Sequence, residues 1–578
     1  MATDYDAIII GAGHNGLVAA SYLADAGQRV LVLEARSIIG GACVTEEIHP
    51  GFRASTLSYV CGELRQKIID ELELKKHGLE LIVTDPATFA MYRDGSHLRL
   101  WSDIDRTIEE LKTFAPNDVE AFLDFGMELK QYWDLIAPTV MREPPTFGEL
   151  DAIFSDPDHK RMFKEFVTAS ADDILDARFE SANLKGMFAF TASSSAHFST
   201  DAPGTGLELI DHSCSELEGE FGVWGQVRGG MGAITDALQK AAEQRGVTIQ
   251  TDSLVDEVVV ANRRVTGVRL ADGSTRNAPV VVSNADPHNT FTKLLPRDAV
   301  PESFHRQAAR MDFRGTMGRV HYAVSELPRY RGVTTTTPGP EHLPLTLLDF
   351  TPDNIREAAI ACQEGRMPEK LAVELLIPTA VEPSLAPEGK HIVSTGVQYT
   401  PFELADQTWD EFAPEFERRV RATMEEFCPG FSDSVIGYRI ITPLDLERDY
   451  HLTQGNIFHG AMLLGQWFDA RPMVGCANYR TPVQGLYLCG AGTHPGGGVS
   501  GANGHNAAMA IRRDIDDPPS RAEWNHRAAH NGIAAPQPMS RRPLAERAWN
   551  NPRLRPLLMW AASKPWSRRL TQRMRRPQ

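Results

Sequence analysis

Three glycines near the start of the chain, in Gly11-Ala12-Gly13-His14-Asn15-Gly16, have the spacing of a nucleotide cradle. Gly11 permits the tight turn, Gly13 lets the backbone approach a pyrophosphate, and Gly16 lets the following helix pack closely on the strand before it. The helix N-terminus then presents its free amides to the anion. Glu34 stands 18 positions after Gly16, at the end of the apolar run Arg29 to Leu33, where a carboxylate can accept from a ribose hydroxyl. A second glycine-rich pass, Gly40-Gly41, follows almost at once. A third lies far along the chain, where Gly485 to Gly490 leads through Gly492 into Gly496-Gly497-Gly498-Val499. A nicotinamide enzyme has no need of the early doublet. Glycine-rich sites separated by most of the chain suggest one long, extended cofactor.

The elements that must hold these residues are readable from periodicity. Tyr5 to Ile10 is a buried parallel strand, Leu17 to Ala26 a helix closed by Gly27, and Arg29 to Glu34 a second strand. Ala233 to Arg245 reads as a helix feeding a strand from Gly246. The runs 255–260 and 265–270 form two strands, the second ending in the turn Ala271-Asp272-Gly273-Ser274, and 280–285 is a last buried strand. Asn503 to Arg512 reads as a helix after the third glycine segment. Residues 75–220 are helical and rich in aromatics, whereas 319–324, 371–378 and 391–399 look like antiparallel sheet.

Composition narrows the function classes. The 578 residues carry a net charge of −17, and the segment 515–578 holds 13 basic against 4 acidic residues. That surplus of 9 leaves −26 on the remainder of the −17 chain, so the body should repel nucleic acid phosphates. The tail, with Trp549, Leu557-Leu558-Met559-Trp560 and Arg573 to Arg576, is either a solvated extension wrapping back on the acidic body or an anchor at a lipid or protein surface. His526 and His530 have helical spacing but no third ligand nearby, so no metal is expected. Seven cysteines are scattered with no Cys-x-x-Cys pair, which excludes a reactive dithiol and zinc-ribbon spacing. No apolar run reaches the length of a spanning helix, and the first residues lack a signal-peptide pattern. The expectation is a cytoplasmic protein, with membrane association through the tail left open, as is a homo-oligomer.

Taken together, Gly11-x-Gly13-x-x-Gly16, Glu34, Gly40-Gly41, the strand 280–286 and the segment 490–498 resemble FAD-dependent oxidoreductases of the phytoene desaturase-like group. The match is nearest to the branch of pyridine nucleotide-disulfide oxidoreductase domain-containing protein 2, through Gly11 to Val18, Gly40 to Ile48, Leu444 to Arg448 and Gly455 to Gly460. The resemblance implies an α/β protein: a discontinuous Rossmann-like FAD-binding domain (1–75, 221–300 and 471–514), an inserted α+β substrate domain (76–220 and 301–470), and the basic tail (515–578). It also implies that Gly11, Gly13 and Gly16 hold the pyrophosphate and Glu34 the ribose. Gly40 and Gly41 would approach the ribityl region, Val255 the adenine, and Gly490, Gly492, Gly498 and Val499 the flavin end. Ala42 replaces the basic residue that many relatives carry after the doublet.

For the flavin chemistry, Asn456, Phe458 and His459 are the leading candidates, with Trp467 and His494 behind them. His459 could relay a proton or be a satisfied structural histidine. Trp224, between Gly222 and Gly225, could wall the flavin or pack in the core. The expected activity is hydride transfer between FAD and an apolar, lipid- or polyene-like substrate, in a desaturase, saturase or isomerase. A flavin amine or amino-acid oxidase, and a flavoprotein acting by binding a protein partner, are the alternatives. No second complete nucleotide cradle is visible, so the electron acceptor is expected to be oxygen or quinone.

Overall fold

The computed structural model describes residues 4–529 apart from 196, 315 and 334–337. The expectations for the tail beyond 529, for His530 and for the arginine clusters lie outside the described residues.

Five short strands make a parallel sheet in the order Thr248–Gln250, Val30–Leu33, Ala7–Ile10, Val280–Ser283, Leu486–Leu488. Its central strands are unbroken apolar runs because both faces are covered. Ala7, Ile9, Val30 and Val32 point toward the helices His14–Asp25, Gly232–Gln244 and Ala502–Asp516. Ile8, Ile10, Leu31 and Leu33 point the other way, onto an antiparallel meander of Val255–Ala261, Arg264–Leu270 and Thr275–Asn277. Alternation along a strand thus divides one sheet between two cores. Each sequence-read element of this layer is present, with ends shifted by a few residues.

A second sheet has seven strands in the order Val435–Ile441, Thr316–Val324, His391–Thr400, Val373–Leu376, Leu345–Leu348, Thr88–Met91, His97–Leu100. Its pairings are antiparallel except that Leu345–Leu348 runs parallel to Thr88–Met91. The inferred antiparallel character is therefore broken at one seam. Val320, Tyr322, Val393 and Val373 face the long helix Trp409–Phe427. The opposite face, carrying Met317, Arg319, Leu345 and Leu347, looks into a cavity roofed by helices between Ile104 and Ser213.

The first part of the basic segment is integral to the body. The helix Arg521–Ala529 buries Trp524, whose indole N–H donates to the Thr481 carbonyl at 2.9 Å and whose ring meets Tyr487 edge-on. Among the described residues no helix is long and apolar enough to cross a membrane, and no group of three or more metal-ligating side chains is present.

Candidate active site

One cavity of about 730 Å³ runs from the nucleotide cradle to the second sheet. At its near end the chain turns at Gly11 (φ +95°), a left-handed conformation that only glycine adopts freely, and enters the helix at His14. Glu34 closes this end. Its carboxylate accepts from the Ala12 amide at 2.8 Å and the Arg36 amide at 2.9 Å, so it braces the glycine turn while its remaining lone pairs face the cavity. Gly40 and Gly41 lie beside Gly13, and Val255 borders the same space from the meander.

Polar atoms along this stretch are left without protein partners. Nε2 of His14, Nη1 of Arg36 and Nδ1 of His459 are buried and unpaired, and all three residues line the cavity. Buried polar groups are ordinarily satisfied. Orphaned polar atoms strung between a ribose-type carboxylate and a glycine loop fit a long phosphorylated cofactor. Arg36, held by Glu46 at 2.6 Å and stacked over Tyr450 at 4.3 Å, supplies the cation that Ala42 does not.

The far end is built by loops. Gly498 and Val499 line the cavity, with Glu63 pressed so closely on Gly498 that any side chain there would strike its carboxylate. Burial pushes the Glu63 carboxyl up to about 7 and Asp211 likewise to about 7, with Arg65 opposing. His459 sits in a left-handed turn (φ 56°) and is held neutral: burial lowers its pKa, Asp286 acting the other way. Burial also lowers His14 to about 4, with a further push from His459. Trp224 packs against Gly62 and borders the cavity.

Four of the sequence-selected residues, Gly16, Gly490, Gly492 and Asn456, do not line this space. Gly490 packs on the Asn284 carbonyl and His459, and Gly492 packs on Pro287, so both serve close approach of loops. Asn456 is buried behind the lining. Its amide N–H donates to the Phe313 carbonyl at 3.1 Å and the Ser195 carbonyl at 3.3 Å, while its oxygen accepts from the Phe458 and Gly460 amides. It fixes the loop that carries His459. Gly16 is likewise behind the cradle, against the Gly11 carbonyl. Of the remaining candidates, Phe458 borders the cavity, Trp467 packs in the helical core, and His494 bonds the Thr139 carbonyl at 3.0 Å.

A family model described as flavin containing amine oxidoreductase matches residues 16–343. This chain belongs to that family. It is an FAD-dependent oxidoreductase, and the cradle, orphaned polar atoms and far-end loops above are the surfaces that fit FAD. Pyridine nucleotide-disulfide oxidoreductase domain-containing protein 2 of Mus musculus is 39% identical over 89% of this chain and 94% of its own length. A neurosporene-forming phytoene desaturase of Cereibacter sphaeroides is 28% identical over 90% and 97%. Putrescine oxidase bound to putrescine shares the fold, with a TM-score of 0.56 at 16% identity over 89% of this chain and 99% of that one.

Several residues of this flavoenzyme's cavity carried no sequence signal: Tyr59, Glu63 and His212 all line it. One consequence of Glu63 is measurable in stability. A carboxyl whose folded pKa is raised favours the unfolded state as pH climbs from the free value of 4.5 to about 7, because only the unfolded chain ionises there. The variant E63Q lacks this penalty. Its stability relative to the parent should therefore grow between pH 4.5 and about 7 by on the order of 3 kcal/mol, then level off, as followed by urea unfolding of the flavin-free proteins. A constant difference across that range would mean that Glu63 is ionised in the fold.

Proposed function

We propose that the enzyme moves a hydride between FAD and a carbon of an apolar, lipid- or polyene-like substrate, as a desaturase, saturase or isomerase. The observation that carries this reading is the wall of the cavity beyond the cradle, where Leu129, Met187, Phe188, Phe190, Leu345 and Leu347 converge from helices and sheet. Such a wall gains free energy by removing hydrocarbon from water and offers little to a charged molecule.

FAD supplies the two-electron acceptor or donor. The protein's part is to hold the substrate against it, exclude water and handle one proton. His459, neutral and lining the cavity with its Nδ1 unpaired, is the group we assign to that proton, Asn456 positions its loop, and Trp224 provides a flat wall. We further propose oxygen or quinone as the electron acceptor, since the chain has a single nucleotide cradle. We also propose that the basic segment contacts a membrane or a protein partner.

Glu63 supports a second reading. A carboxyl lining the cavity beside the glycine loop is a group that could meet an amine. The two readings part in one experiment: purified protein is reduced anaerobically with dithionite, reoxidised with air, a soluble quinone or NAD(P)+, and its flavin then challenged with apolar alkenes or with primary amines. Bleaching of the oxidised flavin by amines alone would replace the first reading with the second. Selective reoxidation by quinone or oxygen, with reduction by apolar donors only, is the expected result.

A further inference from the structure

The row of the second sheet that faces the cavity changes character across four neighbouring strands. Leu347, Glu374, Gly396 and Arg319 lie opposite one another in register. Gly396 has no side chain, so Glu374 and Arg319 meet above it, Nη2 to Oε1 at 3.4 Å, with their side chains 1% and 4% exposed. A Cβ at Gly396 would lie 2.5 Å from Glu374 Oε1 and 2.8 Å from Met317 Sδ. Tyr59 arrives from a distant loop, its ring 4.1 Å from the guanidinium. The second carboxylate oxygen, Glu374 Oε2, has no partner. Around this cluster Met317, Leu345, Leu347 and Leu376 are apolar, and both Tyr59 and Arg319 border the cavity.

Burying an ion pair costs desolvation that apolar residues of the same volume would not incur. A chamber built for pure hydrocarbon gains nothing from it. The cluster also matches neither a full positive nor a full negative charge, because Arg319 and Glu374 cancel and burial holds Tyr59 as the neutral phenol. What it presents to the cavity is the polar groups of Tyr59 and Arg319, with Glu374 buried behind them. We infer that Tyr59, Arg319 and Glu374 form a subsite for a neutral oxygen function, a hydroxyl or carbonyl, on an otherwise apolar substrate.

This inference rests on the apolar-substrate reading and narrows it. A site made to bond an oxygen discriminates strongly against the analogue that lacks it, because its own polar groups are then left unpaired. The test uses the FAD-loaded enzyme and a ligand panel of C10 to C20 isoprenoid and straight chains, each as hydrocarbon, alcohol, ketone and primary amine. Binding is read both by perturbation of the flavin spectrum and by ligand-induced shift of the unfolding midpoint. Alcohols or ketones should bind at least about tenfold tighter than the matched hydrocarbons. Y59F should remove most of that preference while leaving hydrocarbon affinity unchanged, and the paired variant R319M/E374Q, which leaves no single buried charge, should do the same. Equal binding of hydrocarbon and alcohol, or a preference that survives both variants, overturns the subsite and leaves the apolar reading standing. Tightest binding by the amines, or no binding by any apolar member, overturns the reading beneath it as well.

Discussion

G16A should be purified without flavin. A Cβ at position 16 would drive into the carbonyl oxygen of Gly11 and sit 3.2 Å from the Asn284 amide nitrogen. Both neighbours are fixed. Gly11 is in the turn that ends the strand Ala7–Ile10, and Asn284 follows the strand Val280–Ser283 paired to it. The clash can be relieved only by moving the helix His14–Asp25 away from the sheet, which withdraws its N-terminal amides from the cofactor. Overpacking alone would cost about 1–3 kcal/mol of fold stability, yet the loss of flavin should be complete, because affinity depends on a backbone approach that a shift of a fraction of an ångström removes. The check is the ratio of flavin to protein absorbance after purification, with the unfolding midpoint measured alongside. G27A serves as the control: Gly27 has φ +79° with nothing within 4 Å of a built Cβ. It should lose on the order of 1 kcal/mol through backbone strain and keep its flavin. Flavin retained by G16A at the parent ratio would remove the cradle from the site.

The difference between what was readable in the sequence and what was not follows the range of the interactions. The turn from Ile10 to His14, the brace at Glu34 and the meander 255–270 are local: a strand, a glycine turn and a helix are specified by residues next to one another, and an apolar run bounded by turns announces a buried strand. The cluster of Tyr59, Arg319 and Glu374 has no such signature. Its members come from a loop and two strands, and they meet only because Gly396 lies between the strands in register. No spacing within any one segment encodes that. Glu63 is similar, since its place against Gly498 is set by packing between chain segments more than 400 positions apart.

The candidates that pack behind the cavity lining have a common structural setting. Gly490, Gly492 and Asn456 stand in conspicuous segments beside the cofactor space, and a conspicuous glycine or amide suggests contact with a ligand. In the folded chain, loops carrying Asn284, Pro287 and His459 cross closely there, so glycine is needed for backbone to pass backbone. Their carbonyls and amides are out of water, and Asn456 satisfies four of them. Likewise the aromatic stretch near Tyr132 and Trp133 is core, while Phe188 and Phe190 of the same helical layer reach the cavity. Helical periodicity identifies the buried face but not whether the face meets protein or ligand.

The same demand for satisfied backbone predicts that R471M is among the most destabilising substitutions in the chain. Arg471 is 1% exposed, and its guanidinium donates to four carbonyls: Ala491 at 2.9 Å, Phe458 at 2.6 Å, Gln466 at 3.2 Å and Gly460 at 3.4 Å. Two of these residues, Phe458 and Ala491, line the cavity, so one side chain ties the His459 loop to the glycine segment at the flavin end. Burial lowers its pKa to about 9, with Asp211 opposing, so it remains charged at neutral pH and each bond is charge-assisted. Methionine fills much of the volume but leaves the carbonyls without donors, at about 1–3 kcal/mol for each one that cannot turn to water. A total loss of at least about 3 kcal/mol is expected in urea unfolding, together with a blurred flavin spectrum as the two loops separate. R471K keeps the charge but replaces the planar five-donor fork with a three-donor ammonium on a flexible stem, and should fall between parent and R471M. If instead R471M unfolds at the parental midpoint, the four carbonyls have other partners available, and the arginine's role would have to be electrostatic, read as a shift in the flavin's reduction potential without a change in stability.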